Sequence, residues 1–508
     1  MKKQFYFLLA FFGIVKSEVS SKTYFSVPPL VRPGMPQLVG TTFQGFNEVY
    51  PRQSFDLTVV GSSSRNSEDL AKYFLPFGKS SITAGGLGAT VTKDENVDII
   101  ANYFGVLTAP ALTTSTTPDT IDNLFANYKF ESTLSFAPYQ KMFGFVPRYK
   151  RHLSEFTDKG WWVELMVPIV WVKNDLQLKE EIVAAGGPTG KLANVPKGFV
   201  ADMKAAFKQE SLIYGKIDGP RTKAGIADIF VTFGFDYVKE PTHQLTSFFG
   251  GVIPTGNKPN AEYLFEPVVG NGGHLGIFSG ATAGFRIWCK GDKSIYWKLD
   301  TVGIAQFENS GQRRSFDLKG KPWSRYMWVY LDSKTSGTNF GIHTFTEPVK
   351  VKPGTMRDLN LAFIFSGLHW KCEGGYHFFA REAESVSLAS GCWNKGAAIA
   401  AITEPYSGVD SQVINKGKSR NNATINRYAR VDNDMNAAGT EVYKELTEAD
   451  FDFDSAAHPA IVSHTSYFEI TYSNCMKKYL KLGGAYEFAS DNAALKRWYA
   501  WLRCGIEF

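Results

Sequence analysis

Short motifs that could bind a nucleotide or a metal are weak in this sequence. Gly78-Lys79-Ser80 matches the end of a phosphate-binding loop, but Tyr73 stands where that loop needs its first glycine. Neither a Gly-x-Ser-x-Gly elbow nor a His-Glu-x-x-His motif is present. His369, Cys372 and His377 have side chains that can bind a metal. Their closeness in sequence is better explained by a predicted turn, which they flank without a shared role. We therefore expect no enzyme, no cofactor and no metal.

Charged side chains on the polar faces of predicted strands are the more informative candidates. If these strands border lipid, a cation on the lipid side would cost about 2–4 kcal/mol at midplane, so the charges should face an internal lumen. Both signs occur, which implies no strong preference for anions or cations. The charges either line a solute path or only solvate and brace the interior. The predicted pore-lining residues are Glu164, Asp228, Asp236, Lys298, Asp300, Lys481, Glu487 and Arg503.

Composition excludes several classes of protein. Among 508 residues, 15% are aromatic, 44% are hydrophobic and 47 are glycine, so the chain is neither disordered nor a coiled coil. After residue 15, no apolar run approaches the roughly 20 residues that a spanning helix needs. Alternation with a period of two is frequent instead, and it predicts strands.

The last segment shows this alternation most clearly. Trp498, Leu502, Ile506 and Phe508 share one face, and polar residues such as Arg503 share the other. Thirteen further segments alternate, and many have ten residues or more, the length that spans a bilayer as a tilted strand. The fourteen are 54–60, 129–137, 141–150, 161–171, 228–237, 245–253, 275–289, 294–307, 323–332, 357–368, 374–386, 468–473, 480–488 and 497–508.

The N-terminus has the composition of a secretory signal peptide. Lys2 and Lys3 precede an apolar run of 11 residues, 5–15, which is too short to span a membrane as a helix. Cleavage after Ser17 or Ser21 fits the small residues there. Removing 1–17 lowers the formal charge from +6 to +3, so no nucleic-acid partner is expected.

The end of the chain resembles the C-terminal signature of Gram-negative outer-membrane β-barrel proteins, the porin-like and transporter class. That signature is a terminal Phe with apolar residues at every second place before it, here Trp498, Leu502, Ile506 and Phe508. Cys504 departs from the usual large apolar residue. The resemblance implies export to the outer membrane, contact with its lipid and recognition by the barrel-assembly machinery.

Together these features predict an all-β fold, a single transmembrane antiparallel β-barrel of about 12–16 strands whose long outer loops carry short helices. We expect a signal peptide at 1–17, an N-terminal periplasmic or lumen segment at 18–53, and the barrel at 54–508 with long loops near 174–224 and 387–461. Short helices are expected at 175–185 and 200–209. With both termini periplasmic, fourteen strands put the 290–293 turn on the wrong side, which suggests an error between Ser333 and Pro353.

The expected function is passive passage of small solutes through a water-filled lumen, as in porins. The alternatives are a surface adhesin or scaffold barrel with a blocked lumen, and a secreted soluble β-protein whose apolar rows face each other. A barrel that carries hydrolase chemistry would need a Ser–His pair on one strand face, and none is evident. Assembly into a homo-oligomer remains open.

Overall fold

A computed structural model describes most of the chain. The described residues are 21–36, 53–65, 67–85, 130–153, 160–184, 201–331, 338–399, 445–474, 478–489 and 492–508. The predicted signal peptide therefore lies outside the described residues. No helix in the described ranges has the length and apolarity to cross a membrane.

Twelve strands form one closed antiparallel sheet. Two of them, β3 and β4, are interrupted, at Val167-Pro168 and at Ala227-Asp228. The strands are β1 Gln53–Ser64, β2 Tyr139–His152, β3 Trp161–Met166 with Ile169–Asp175, β4 Arg221–Ile226 with Ile229–Lys239, β5 His243–Ile253, β6 Gly276–Lys290, β7 Lys293–Gln306, β8 Met356–Ser366, β9 Trp370–Arg381, β10 Ile461–Ser473, β11 Lys478–Phe488 and β12 Arg497–Glu507.

Each strand pairs with its neighbours in sequence, and β1 also pairs with β12, which closes the barrel. Closure leaves no unpaired edge, as a bilayer requires. Five short connections (153–160, 240–242, 291–292, 367–369 and 474–477) gather at one end, which we call the turn end. The other six connections gather at the opposite end, the loop end, and all of them except the eight-residue 489–496 are longer. Both the start of β1 and the end of β12 lie at the turn end.

Along the barrel strands, apolar side chains are exposed and polar side chains are buried, the reverse of the pattern in a soluble protein. On β10, Phe468 is 52% exposed and Ile470 37%, whereas the intervening Glu469 is 3% exposed. On β12, Trp498 and Leu502 face outward and Arg503 is fully buried. The outward apolar rows form a band around the barrel, and the polar rows face its interior. This pattern is that of a wall surrounded by lipid and contradicts a soluble protein with facing apolar rows.

Large inward side chains lie flat against glycines of neighbouring strands. A Cβ at Gly483 would lie 2.2 Å from the ring of Trp501, and one at Gly375 would lie 2.5 Å from the ring of Tyr467. Each glycine therefore leaves room on the inner wall for an aromatic ring. Trp501 and Tyr467 are buried, so these rings fill the lumen beside the wall.

The described parts of the connections at the loop end fold into a cap, whose core is continuous with the buried side chains of the barrel. Trp323, Phe207 and Tyr326 meet edge to face, and Phe316 packs on Phe451 with ring centroids 5.0 Å apart. In the described ranges, the helical elements are α1 Met203–Lys208, α2 Gly341–Thr344, and 3₁₀ segments at Ser67–Tyr73, Pro76–Gly78, Ser324–Tyr326, Glu448–Asp450 and Phe453–Ala456. The short strands are Ser81–Gly85, Glu131–Ser135, Lys179–Ala184, Asn309–Ser315, Asp317–Leu318, Trp328–Leu331, Thr338–Phe340, Thr346–Lys352, Ser385–Leu388, Ala397–Ile399 and Phe451–Asp452.

Two of the fourteen predicted barrel strands belong to this cap. In 129–137, Glu131–Ser135 pairs with Ser81–Gly85 and Lys179–Ala184 in a separate small sheet. In 323–332, a 3₁₀ turn precedes the short strand Trp328–Leu331. When 323–332 is left out of the count of barrel strands, the 290–293 turn falls on the same side as the two termini, as a short turn should. The predicted error between Ser333 and Pro353 was therefore misplaced, because the described part of that region, 338–352, also lies in the cap.

Of the two predicted helices, the one at 200–209 is confirmed and the one at 175–185 is wrong. Within 200–209 the chain forms α1, and the carboxylate of Asp202 accepts the N–H of Ala205 at 2.7 Å as its N-cap. Within 175–185 the chain forms the strand Lys179–Ala184 instead. The long loops near 174–224 and 387–461 both lie at the loop end, although part of each falls outside the described residues.

Candidate functional site

The N-terminal segment 21–36 lies inside the barrel and is the first component of the site. Its start reaches the cap, where the Lys22 and Thr23 amides donate to the carbonyls of Tyr73 (2.6 Å) and Ser455 (2.8 Å). Phe25 is 1% exposed and belongs to the core of the cap. The segment forms no strand with the wall, and it occupies space that a water-filled pore would leave open.

Arg32 anchors this segment to the wall. Its Nη2 and Nε donate to the carboxylate of Asp358 on β8 at 2.9 and 3.3 Å. The Nε2 of His377 on β9 lies 2.7 Å from the same carboxylate, and the Arg32 guanidinium lies 3.9 Å from the ring centre of Phe379. All four side chains are buried. Because a buried charge is costly without a partner, this group ties the segment to two adjacent strands.

Gly34 allows the segment to lie close against β8. Its φ is +97°, and a Cβ there would lie 2.6 Å from the Cβ of Asp358. Its carbonyl accepts a hydrogen bond from the Asn360 side chain at 2.6 Å. Any larger residue at this position would push the segment away from the Arg32 anchor.

A second polar group joins the segment to the cap. The guanidinium of Arg314 lies 3.6 Å from the ring centre of Tyr24 and donates to Glu384 at 2.6 Å. Burial raises the pKa of Tyr24 to about 12, so the phenol stays neutral. Burial alone would raise the pKa of Glu384, but the guanidinium groups of Arg314 and Arg381 lower it to about 2. The group therefore holds a permanent buried carboxylate between two cations.

Closer to the turn end, ion pairs follow the inner wall around the barrel. Arg148 on β2 pairs with Asp56 on β1 at 2.9 Å, and Lys481 on β11 pairs with Glu469 on β10 at 3.1 Å. We call this set the charge belt. Members on five further strands extend the charge belt to nine of the twelve strands, and they are Arg503 on β12, Glu373 on β9, Lys298 and Asp300 on β7, Asp236 on β4 and Glu164 on β3.

The belt is braced across strands. Lys298 lies 2.8 Å from Glu373 and 3.5 Å from Asp300. The indole of Trp501 donates to Glu469 at 2.8 Å, and the hydroxyl of Tyr467 donates to Glu373 at 2.9 Å. Opposite charges thus neutralise each other along the wall instead of facing open water.

The structure places all eight predicted pore-lining residues on the inner side of the barrel. Six of them belong to the charge belt: Glu164, Asp236, Lys298, Asp300, Lys481 and Arg503. Glu487 lies apart, nearer the loop end, where it pairs with Arg497 at 2.8 Å. Asp228 is separate as well, at the break in β4, and one of its carboxylate oxygens is buried without a hydrogen-bond partner.

Sequence reasoning missed other members of the site. Glu469 and Asp358 lie in predicted strands, and alternation could have identified them as inward-facing. Glu373 lies just before the predicted strand 374–386, where a turn was expected, but it belongs to the strand Trp370–Arg381. Arg32 carried no such signal, because it precedes the first strand in a segment without alternation. The C-terminal signature residues Trp498, Leu502, Ile506 and Phe508 are all exposed on the outward face, away from this site.

Two small cavities border the N-terminal segment in the described lumen. A cavity of about 50 Å³ is bounded by Pro33, Gly34, Arg148 and Asp300, and one of about 20 Å³ by Tyr24 and other residues. Such volumes hold only a few water molecules. Within the described ranges, no cluster of three or more His, Cys, Asp or Glu side chains could hold a metal ion.

Comparison with known proteins gives no match to a protein-family description or to a curated protein sequence. Among solved structures, an outer membrane channel from Pseudomonas putida F1 aligns over 91% of this chain and 97% of its own, with 9% identity and a TM-score of 0.38. The β domain of a Bordetella autotransporter aligns over 90% and 99%, with 7% identity and a TM-score of 0.32. A Pseudomonas aeruginosa FadL homologue aligns over 90% and 90%, with 8% identity and a TM-score of 0.28.

The geometry itself defines the class of fold. The wall is closed, its outward rows are apolar, its inward rows are polar, and short turns and long loops occupy opposite ends. The chain is therefore a twelve-stranded membrane β-barrel of the outer-membrane type, with its own N-terminal segment inside the lumen.

Proposed function

We propose that this protein is an outer-membrane channel for small molecules whose lumen is closed by residues 21–36 and opens when this plug moves. One observation carries the proposal. The plug is attached by the Arg32–Asp358 ion pair, scattered hydrogen bonds and the packing of side chains such as Phe25, with no strand pairing to the wall. Such contacts can be broken and remade without unfolding the barrel.

The polar wall supports the same proposal. A barrel that served only as an anchor could fill its interior with apolar side chains, which cost less to bury than charges. Here the charge belt retains buried pairs such as Arg148 with Asp56. Once the plug moves, these groups would line a hydrated path. The expectation of free passage, as in porins, becomes the narrower proposal of a gated path.

The experiment is single-channel recording in a planar bilayer. The unmodified protein should be closed for most of the time and show rare discrete openings. Replacing Arg32 should increase the open fraction. Stable insertion without openings in either protein would refute the channel and leave a static barrel.

A surface adhesin or scaffold is the second candidate, and the cap favours it. The cap has a rigid aromatic core around Trp323 and Phe316, which a simple diffusion pore does not need. Binding of the purified protein to host or bacterial surfaces, lost when the described cap surface is altered while conductance is unchanged, would support this candidate instead.

The remaining partners follow from the same proposal. Outer-membrane lipid contacts the apolar band, the barrel-assembly machinery recognises the C-terminal strand, and export uses the predicted signal peptide. Small solutes are the proposed cargo, and no enzymatic activity is proposed.

A further inference from the structure

An apolar groove of about 820 Å³ crosses the outward face of the barrel where β12, β1, β2 and β3 lie side by side. Its floor is made of small residues, because Gly61 and Ala500 lie directly opposite each other on β1 and β12. Phe143, Trp171 and Trp498 form its sides. A hydrocarbon chain would therefore find a recess here, whereas most of the outward face carries large side chains.

Two lysines lie directly opposite each other next to this recess. Lys141 on β2 pairs in register with Lys173 on β3, one row towards the loop end from Phe143 and Trp171. Ser63 is the register partner of both Lys141 and Trp498, so the lysines lie at the level of that aromatic residue. Trp and Tyr mark the interface between hydrocarbon and headgroups in such barrels. The lysine pair thus lies at headgroup depth.

No side chain of the described residues neutralises the lysine pair. No described carboxylate lies within ion-pair distance of either ammonium group. Asp175 is the nearest acid on this face in register, one row further out, and its carboxylate accepts the amide of Gln177 at 2.8 Å. Like charges directly opposite each other on a sheet are unfavourable unless an anion lies between them.

We propose that this groove binds an anionic membrane lipid, whose headgroup phosphate has no cation of its own, in the leaflet at the loop end. Its phosphate lies between Lys141 and Lys173, and a hydrocarbon chain lies over Gly61 and Ala500. A zwitterionic lipid would fill the recess but would offset the lysine repulsion less, because its own cation neutralises its phosphate. A second copy packed across a two-fold axis would bring another lysine pair to the same place, which disfavours a dimer here.

The test measures lipid binding to the full chain in micelles of a neutral detergent by native mass spectrometry. The probes are dioleoyl phosphatidic acid and dioleoyl phosphatidylcholine, which share their hydrocarbon chains. We expect roughly a 30-fold preference for phosphatidic acid, from two lysines at the interface, and a decrease with salt. The double variant K141Q/K173Q should bind both lipids equally.

Matched variants separate the two parts of the site. Lys290 and Lys293 are also opposite in register, but at the turn end, so K290Q/K293Q should keep the full preference. Ala500→Trp fills the recess and should weaken phosphatidic acid binding at least tenfold while the barrel still folds, as judged by its heat-modifiable mobility on gels.

Three results would overturn the proposal. The first is equal binding of the two lipids by the unmodified protein. The second is complete displacement of the lipid by inorganic phosphate, which would mean that the groove contributes nothing to the affinity for the lipid. The third is self-association that Ala500→Trp abolishes, which would identify a second copy as the occupant. None of these results depends on whether the lumen conducts.

Discussion

Replacing Arg32 with Ala should release the plug without unfolding the barrel. Arg32 makes two charged hydrogen bonds to Asp358 and lies over Phe379. A hydrogen bond to a charged group contributes about 1.5–3 kcal/mol, and the loss of one partner of a buried ion pair costs about 3–5 kcal/mol. His377 stays 2.7 Å from Asp358 and offsets part of that cost. We therefore expect the equilibrium for plug release to shift by about 3 kcal/mol, or roughly 150-fold.

Amide hydrogen exchange measured by mass spectrometry on the peptide that covers 21–36 reports this shift directly. Its Lys22 and Thr23 amides are hydrogen-bonded to the cap, and they should exchange up to 150-fold faster in R32A. Arg357 provides the matched control, because it neighbours Asp358 on β8 but its side chain is 54% exposed and pairs with Glu382. The reasoning is refuted if R32A and R357A exchange at the same rate as the unmodified protein over this peptide.

Three further predictions test the wall, the lipid band and the cap. Gly483→Leu should lower the free energy of unfolding by about 1–3 kcal/mol in denaturant titrations, because the new side chain meets Trp501, whereas Gly484→Leu on the outward face should change it little. Phe468→Arg, one outward row further from the turn end than Ile470, should destabilise the vesicle-inserted barrel by about 2–4 kcal/mol, and equal stability would contradict its lipid-facing position. Glu384 has a pKa of about 2 instead of 4.5, so its ionised carboxylate stabilises the cap above pH 4.5, and this stabilisation is lost as the pH falls towards 2. The loss should be about 3 kcal/mol in the free energy of unfolding of the cap, measured by tryptophan fluorescence. The variant E384Q should abolish this pH dependence.

The wall could be predicted from the sequence because lipid imposes a strict alternation on it. Twelve of the fourteen predicted segments are the twelve barrel strands, and twelve is the lower limit of the predicted range. In a membrane wall each outward position must be apolar over about ten residues. Because of this requirement, the alternation of apolar and polar residues is visible even within a single short segment such as 468–473.

The cap could not be separated from the wall by alternation alone. In 323–332, the rings of Trp323 and Tyr326 are buried in the cap, so these apolar positions face a local core instead of lipid. Trp323 has a φ of +66° and is fully buried, which places it at a turn inside the cap. Periodicity reports that one face is apolar, but it does not report what covers that face.

The plug was the least predictable part of the site. Its contacts join residues more than 300 positions apart, as between Arg32 and Asp358, and local patterns carry no record of them. The segment was expected to be either periplasmic or inside the lumen, and no residue type decided between these places. Charges such as Lys298 were expected to face inward, but their pairing across strands depends on strand register, which the sequence did not specify.

Single-channel conductance of the R32A variant, compared with the R357A variant and the unmodified protein, tests the gating claim most directly. The account predicts rare openings for the unmodified protein and for R357A, and frequent openings of the same unit size for R32A. Steady large openings in all three proteins would show that the plug does not close the lumen. Silence in all three, with insertion verified, would show that its release opens no path.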